Sequence, residues 1–456
     1  MAIDYLAVAQ QGVVNRLSNT TPLRSRSIIF AWLVCSLGAF YYCYEYFLRI
    51  SPSVMMPELM KTYHLSGAEV GSLSAFYYHA YVPMQIIVGL LMDRYSPRKL
   101  LTLASFLCAI GTLLFASGEN ITLAEGGRFL VGLGSAFAFV GALKLATIWL
   151  PPNRFALVSG IIMCLGMIGA MVGDILSGAM IAAIGWKATL YASAAIGVLL
   201  AMVLWSVVRD SNPHYVQPDF DPTTDHHTAF VGLWRAVRNP QLWLNGFVGF
   251  VLYISLSAFA ELWGIPYLVQ AHHLSSTDAA NANSMIFLGW AVGGPFWGWF
   301  SDYIGRRRMP IIVGSIGALV LICVMLYSSI VSRSFIYGLL FAFGLLSSVQ
   351  ILVFSICREV NSIKITGTAI ALTNMIVMIG GNIFQPVIGK ILDMGWDGTM
   401  VDGARVYSAN DYQFALTVLP ISLILAIVVS FFIRETHCRH ISPELSGYRP
   451  RSFQKT

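Results

Sequence analysis

The chain has 456 residues, 57% of them hydrophobic and only 11% charged, with a mean hydropathy of +0.69 and a formal net charge of +6. A soluble protein of this size carries roughly 25% charged residues. A deficit spread along the whole chain excludes an ordinary soluble domain and means lipid-facing surface. The seven cysteines have no CxxC spacing, so neither a disulfide framework nor a zinc site is suggested.

Residues 1–27 form a polar cytoplasmic segment, and the apolar run after them is too long for a cleavable leader. Spanning the hydrocarbon layer as helix takes about 20 apolar residues, and such stretches recur to the end of the chain. Twelve spans are expected, at 28–58, 68–92, 98–118, 122–149, 155–182, 188–207, 241–268, 277–301, 309–331, 334–357, 365–391 and 410–433. The fold class is therefore an all-α membrane protein with two six-helix halves, 28–207 and 241–433. Between them lies a polar linker, 208–240, in which "VGLWRAVRN" reads as an amphipathic surface helix. Residues 434–456 make a cytoplasmic tail.

Orientation follows from Lys and Arg. With the N-terminus inside, twenty of the 28 basic residues fall on the cytoplasmic side, five outside and three within spans. Both termini are expected in the cytoplasm, and the net positive charge is explained without nucleic acid. The halves also repeat each other. "GLLMDRYSPRKL" (89–100) follows the second span and "GWFSDYIGRRRM" (298–309) follows the eighth. Each has Gly, Asp four residues later, then a basic cluster, which suits two parallel repeats about an axis along the membrane normal.

At these residues the chain resembles the major facilitator superfamily, whose loop between spans two and three reads G-x-x-x-D-R-x-G-R-K. Gly89, Asp93, Arg94, Arg98 and Lys99 match it, with Ser96 for the second glycine and Pro97 inserted. The second copy keeps Gly298, Asp302, Gly305, Arg306 and Arg307, with Tyr303 in place of an arginine. Arg128, Gly132 and Gly134 match a further R-x-x-x-G-x-G element in span four. The resemblance implies that the two loops form a cytoplasmic gate. The glycines would allow close helix approach and the aspartates would latch onto basic residues or helix N-termini. Plain positive-inside charge is the alternative for each loop. Span five has Gly166, Gly169 and Gly173 but lacks the proline of the family's drug-exporter element.

An ionisable group deep in a span costs about 2.5–3.5 kcal/mol on insertion scales and normally finds a partner facing a cavity. Glu45 lies roughly 25 Å along span one and Arg49 one turn further out. In the resembled family spans one, two, four and five line the N-terminal half of the cavity. Glu45, Arg49, Arg128 and Asp174 are thus expected as one charge network. Glu45 would accept the proton, Arg128 or Arg49 would be its switching partner, and Asp174 would hold the remaining arginine. A purely structural ion cluster is the competing reading, and Glu45 and Arg49 also suit an i, i+4 pair. Tyr42, Tyr46, His79, Glu261, Gln350, Asn374, Asn382 and Gln385 are candidates for substrate binding, the amides offering donors and acceptors without charge. Interhelix bridging is the bland reading for the amides, and a rim position for Glu261. Pro52, Pro83, Pro266 and Pro386 should bend their helices.

No G-x-x-x-x-G-K-[ST] loop is present, so ATP is not expected to drive the protein, and no cofactor or metal is implied. The expected function is a non-enzymatic secondary transporter importing a small polar solute by alternating access, with protons as the coupling ion. "YEYFLRISPSVM" and "GGNIFQPVIGKILD" are similar to the phagosomal nutrient transporters of intracellular bacteria, which implies an amino acid, small peptide or nucleoside. Export or antiport of a siderophore or drug is the alternative, as is a non-transporting membrane sensor. The resemblance implies a monomer in the lipid bilayer of a bacterial inner membrane.

Overall fold

The computed structural model describes residues 25–117, 120–151, 154–211, 234, 236–328, 332–361 and 365–441. The linker expected to carry the amphipathic helix, the segment before residue 25 and the tail beyond 441 fall largely outside them.

Among the described residues twelve membrane-length helices run in order. The first half contains α1 (Ser25–Val54), α2 (Gly67–Arg94), α3 (Pro97–Ala116), α4 (Ile121–Trp149), α5 (Phe155–Ile184) and α6 (Trp186–Val207). The second contains α7 (Pro240–His272), α8 (Ser276–Ile304), α9 (Arg308–Tyr327), α10 (Arg333–Val360), α11 (Thr366–Gly395) and α12 (Ala409–Ser430). Eleven are long and apolar enough to cross a membrane. The remaining one, α8, has 29 residues and dilutes its first turns with Asp278, Asn281 and Asn283.

Local chemistry sets the ends. Ser66 closes a capping box with Glu69 at the start of α2, satisfying two otherwise orphaned donors. Asn120 and Ser275 cap α4 and α8. The first span is shorter than expected: α1 stops at Val54, two residues after Pro52, and a short helix, Met56–Tyr63, continues it. Between α11 and α12 a tight hairpin pairs Met400 with Arg405 and Val401 with Ala404. Its Asp402–Gly403 turn has both φ angles positive, as a two-residue hairpin of this hand requires.

Among the described residues the halves meet chiefly through α2 with α11, α5 with α8, and α1 with α7. The α2–α11 seam is tightest at the start of α2, away from the basic loops. A Cβ on Gly67 would stand 2.9 Å from the Gly389 carbonyl oxygen, and one on Gly71 would strike the backbone at Gln385. In the same place Asp393 of α11 accepts from the Gly67 and Ala68 amides at 2.9 and 2.8 Å. Tyr407 and Arg405 reach the same carboxylate at 2.6 and 3.2 Å. Such an anion on the first amides of α2 suits the helix N-terminus.

Candidate functional site

Glu45 and Arg49 lie on one face of α1, a turn apart, and both are buried. Arg49 donates twice to Glu45 Oε1, from Nε at 2.9 Å and Nη2 at 2.6 Å. The adjacent tyrosines of α2 divide their work between two acids. Tyr77 donates to Glu45, while Tyr78 donates to Glu261 on α7. Arg49 Nη1 stands 3.8 Å from Glu261 Oε1 and 3.2 Å from the Tyr253 hydroxyl. One guanidinium is thus shared by a carboxylate of its own half and a carboxylate of the other. The Tyr46 ring lies under it at 4.2 Å, with Tyr77 and Tyr81 at 5.2 and 5.0 Å, an aromatic lining that suits a desolvated cation. Glu45 Oε2 has no partner among the described residues.

The expected four-residue network is not what the structure brings together. Arg128 bonds backbone carbonyls, Leu48 at 3.0 Å, Arg49 at 3.3 Å and Ser74 at 3.4 Å. The reason is Pro52: without an N–H it cannot bond the carbonyl four residues back, which is Leu48. Arg128 supplies the missing donor, helped by Ser51 at 2.9 Å. Asp174 takes a 2.6 Å bond from Asn283 of α8 and a 3.5 Å contact from Ser53. Among the described residues neither Arg128 nor Asp174 makes an ion pair. The second acid of the cluster is Glu261, which stands at the centre of the bundle, 1% exposed, and not at a rim.

The other candidates separate. Tyr42 packs on Tyr46 and Phe139 at 5.1 and 5.2 Å, beside Gly166. His79 is exposed, on the same α2 stripe as Pro83, Ile87 and Leu90, with Nδ1 3.0 Å from the Ala75 carbonyl oxygen. That stripe turns away from the cluster. Asn374 bridges the halves through Gln85 at 2.8 Å. Gln385 donates to the Ser257 carbonyl at 2.7 Å. Gln350 Nε2 and Asn382 Oδ1 are buried without a partner among the described residues.

At the basic loops, a Cβ on Gly89 or Gly298 would meet no described atom within 4 Å. Close helix approach therefore does not explain either glycine here, because the halves are tight at the opposite end. Gly305 ends α8 at φ +64°, a left-handed position that favours glycine. Arg307 bonds Asp302 and Glu359, each at 2.7 Å. The Arg306 backbone carbonyl accepts from Ser301 at 2.7 Å. In the first loop Arg98 stacks on Trp205 at 4.2 Å and donates to the Trp205 carbonyl at 2.7 Å. Arg94 and Lys99 are exposed, and the Asp93 side chain lies outside the described residues. Glu435, beyond α12, accepts from the Arg307 and Arg308 amides at 2.8 and 3.0 Å. Burial pushes its carboxyl up, but these amides and that of His437 outweigh it and hold it below the ordinary glutamate value.

The sequence pattern did not single out Tyr253, Asn283, Glu359, Asp393 or Glu435. Asn283 left a trace, as a polar residue two turns into a membrane-length helix, whereas Tyr253 sits in a run rich in aromatics and carries none.

A family model described as the Major Facilitator Superfamily matches residues 35–385 and 265–444. An "Uncharacterized transporter YybO" of Bacillus subtilis is 26% identical over 61% of this chain and 67% of its own. A "Probable hexose phosphate transport protein" of Chlamydia pneumoniae is 23% identical over 79% of this chain and 85% of its own. A "Probable sulfoacetate transporter SauU" of Cupriavidus necator is 22% identical over 77% and 86%. Among solved structures, a bacterial homologue of the human lysosomal transporter Spinster, in an inward-facing unoccupied conformation, superposes with a TM-score of 0.75. It is 18% identical, over 89% of this chain and 97% of that one. The nucleoside transporter NupG gives 0.69 at 14% identity, over 89% and 99%. With its helices, repeated loops and matching family model, the chain is a multi-pass integral membrane transporter belonging to the major facilitator superfamily.

Proposed function

We propose that this transporter carries a small polar organic solute, best suited to an organic anion, together with protons. The observation that carries the reading is the sharing of Arg49 between Glu45 of one half and Glu261 of the other. Desolvating a guanidinium is costly unless anions face it. An entering carboxylate, phosphate or sulfonate can replace one of the two protein acids on Arg49, and the acid set free is neutralised by taking a proton. Anion binding and protonation are then coupled by charge balance. The relatives' names support this class, since two are named for hexose phosphate and sulfoacetate. An amino acid or peptide has no such support, and a nucleoside has only the fold likeness of NupG.

The seams support alternating access. The contacts at Gly67, Gly71 and Asp393 close the end away from the basic loops. With those loops placed in the cytoplasm by their charge, this is the outward-closed state. The six-helix halves, 28–207 and 241–433, would rock as units about the Arg49 cluster, as a monomer in a bacterial inner membrane with both termini inside. The loop residues from Gly89 to Lys99 and from Gly298 to Arg307 would form the opposite gate.

Uptake into proteoliposomes under an imposed pH gradient tests the reading, with glucose 6-phosphate, sulfoacetate, glucarate, uridine and a set of amino acids as solutes. Gradient-driven accumulation of an anion is expected. Accumulation of uridine or an amino acid with none of the anions would overturn the substrate class. Glu45→Gln should reduce gradient-driven accumulation at least ~10-fold while sparing exchange, and normal accumulation in that variant would remove Glu45 from the coupling.

A further inference from the structure

Glu261 reaches Arg49 from an irregular stretch of α7. Residues Ser255–Trp263 form a π-helix between two α-helical segments. In an α-helix the Gly264 amide would bond the Ala260 carbonyl, but here it bonds Phe259. The bypassed Ala260 carbonyl accepts instead from Asn283 Nδ2 of α8 at 2.8 Å. Earlier in the same stretch the Ser257 carbonyl accepts from Gln385 Nε2 of α11 at 2.7 Å. Both amides are buried. Asn283 gives the bypassed Ala260 carbonyl the donor that a buried carbonyl requires, and Gln385 ties the same stretch to α11 through a further bond. Asn283 has a second bond, to Asp174 of the other half at 2.6 Å.

We infer that Asn283 and Gln385 are positioning residues: by bonding the Ala260 and Ser257 carbonyls they hold α7 in its widened register, and that register aims Glu261 at Arg49. Returning the stretch to α-helix removes one residue from a turn, which rotates everything beyond by about 100°. Glu261 then leaves Arg49 and Tyr78. Asp174 ties the register to the closed outer seam, because separating α5 from α8 takes away one of the two bonds that fix the Asn283 amide. π-bulges are frequent at functional sites, and here the bulge carries the acid donated by the second half.

The inference rests on Arg49 as the cation shared by the halves, so its test is made without substrate or proton gradient. Thermal unfolding of the purified full chain in detergent measures the Arg49–Glu261 coupling by a double-mutant cycle of Arg49→Gln and Glu261→Gln. Around Glu261 stand Glu45 and Arg49 on α1, Tyr78 on α2, Arg128 on α4, Asp174 on α5 and Tyr253 on α7 itself, so every cycle is run at one pH. The cycle is repeated in an Asn283→Leu background and in a Gly264→Ala background, whose added Cβ would strike Asn283 Oδ1. The single variants are expected to be clearly non-additive in the native background, and additive within error in both altered ones. Asp174→Asn retains an acceptor for Asn283 and should keep the native coupling. A purely structural role for Asn283 would lower every Tm equally and leave the coupling intact. That result in either background, or no coupling in the native chain, overturns the inference. Absence of gradient-driven uptake alongside a coupling that depends on Asn283 would reject the proton-coupled anion reading alone.

Discussion

The two halves solve the same structural problem with different residues, and the contrast separates scaffold from chemistry. In each, a carboxylate beyond the sixth helix caps the N-terminus of the third. Asp210, after α6, accepts from the Arg98 amide at 3.0 Å and from Ser96 Oγ at 2.6 Å. Glu435, after α12, accepts from the Arg307 and Arg308 amides. This symmetry lies outside the repeated loop motif. Toward the membrane centre the likeness ends. The first half supplies the Glu45–Arg49 pair, Tyr77, Tyr78 and Arg128. The second supplies one acid, Tyr253 and amides. Caps recur because every helix start has orphan amides. The centre differs because a single guanidinium there is shared by two carboxylates, one from each half.

Removing Arg49 should break the contrast most severely. Arg49→Gln leaves Glu45 and Glu261 buried without a cation, at about 3–5 kcal/mol for a broken buried pair. Thermal unfolding should show a far larger loss than for any variant of the two basic loops. Next comes Glu359→Gln, which takes the main partner from a guanidinium that is 7% exposed. About 1–3 kcal/mol is expected for leaving such a group under-bonded. Its counterpart, Arg98→Gln, faces solvent and stacks on Trp205, so about 0.2–1 kcal/mol is expected. Equal losses for these two in denaturation would erase the distinction between a buried and an exposed loop.

An effect of the same small size concerns the Glu435 cap, about 0.3–1 kcal/mol for a charge at a helix N-terminus. Its sign with pH is fixed. Folding holds the Glu435 carboxyl below its ordinary 4.5, so its contribution is full above that value and vanishes as pH falls through the lower folded value. Stability curves of the native chain and Glu435→Gln should differ near neutrality and converge in acid. A constant gap down to about pH 3, well below the ordinary carboxylate range, would show that the charge on Glu435 contributes nothing.

Much of the architecture was legible in the residues. Apolar runs of about 20 residues, the sorting of Lys and Arg, and the repeated Gly–Asp–basic loops are local signals tied to bilayer thickness and helix rise. Glu45 and Arg49 were readable as a pair because i, i+4 spacing puts them on one face. Arg128 was readable as buried, but its attachment to Leu48 depends on the carbonyl released by Pro52 on another helix. Asp174 shows the same limit, since its partner Asn283 lies 109 positions away. Glu261 stayed open between a binding and a rim position because span seven was expected to end at 268, whereas the helix runs on to His272 through a π stretch.

The sequence by itself determined that the chain spans a membrane, that its halves repeat, and that charges costly in lipid sit in span one. Those conclusions need only composition, period and spacing. Tertiary structure alone decided which acid of the second half meets Arg49, which carbonyls the buried amides hold, and which end of the bundle is closed. Each depends on contacts between helices far apart in the chain, where a shift of one residue turns a side chain about 100° away from its partner.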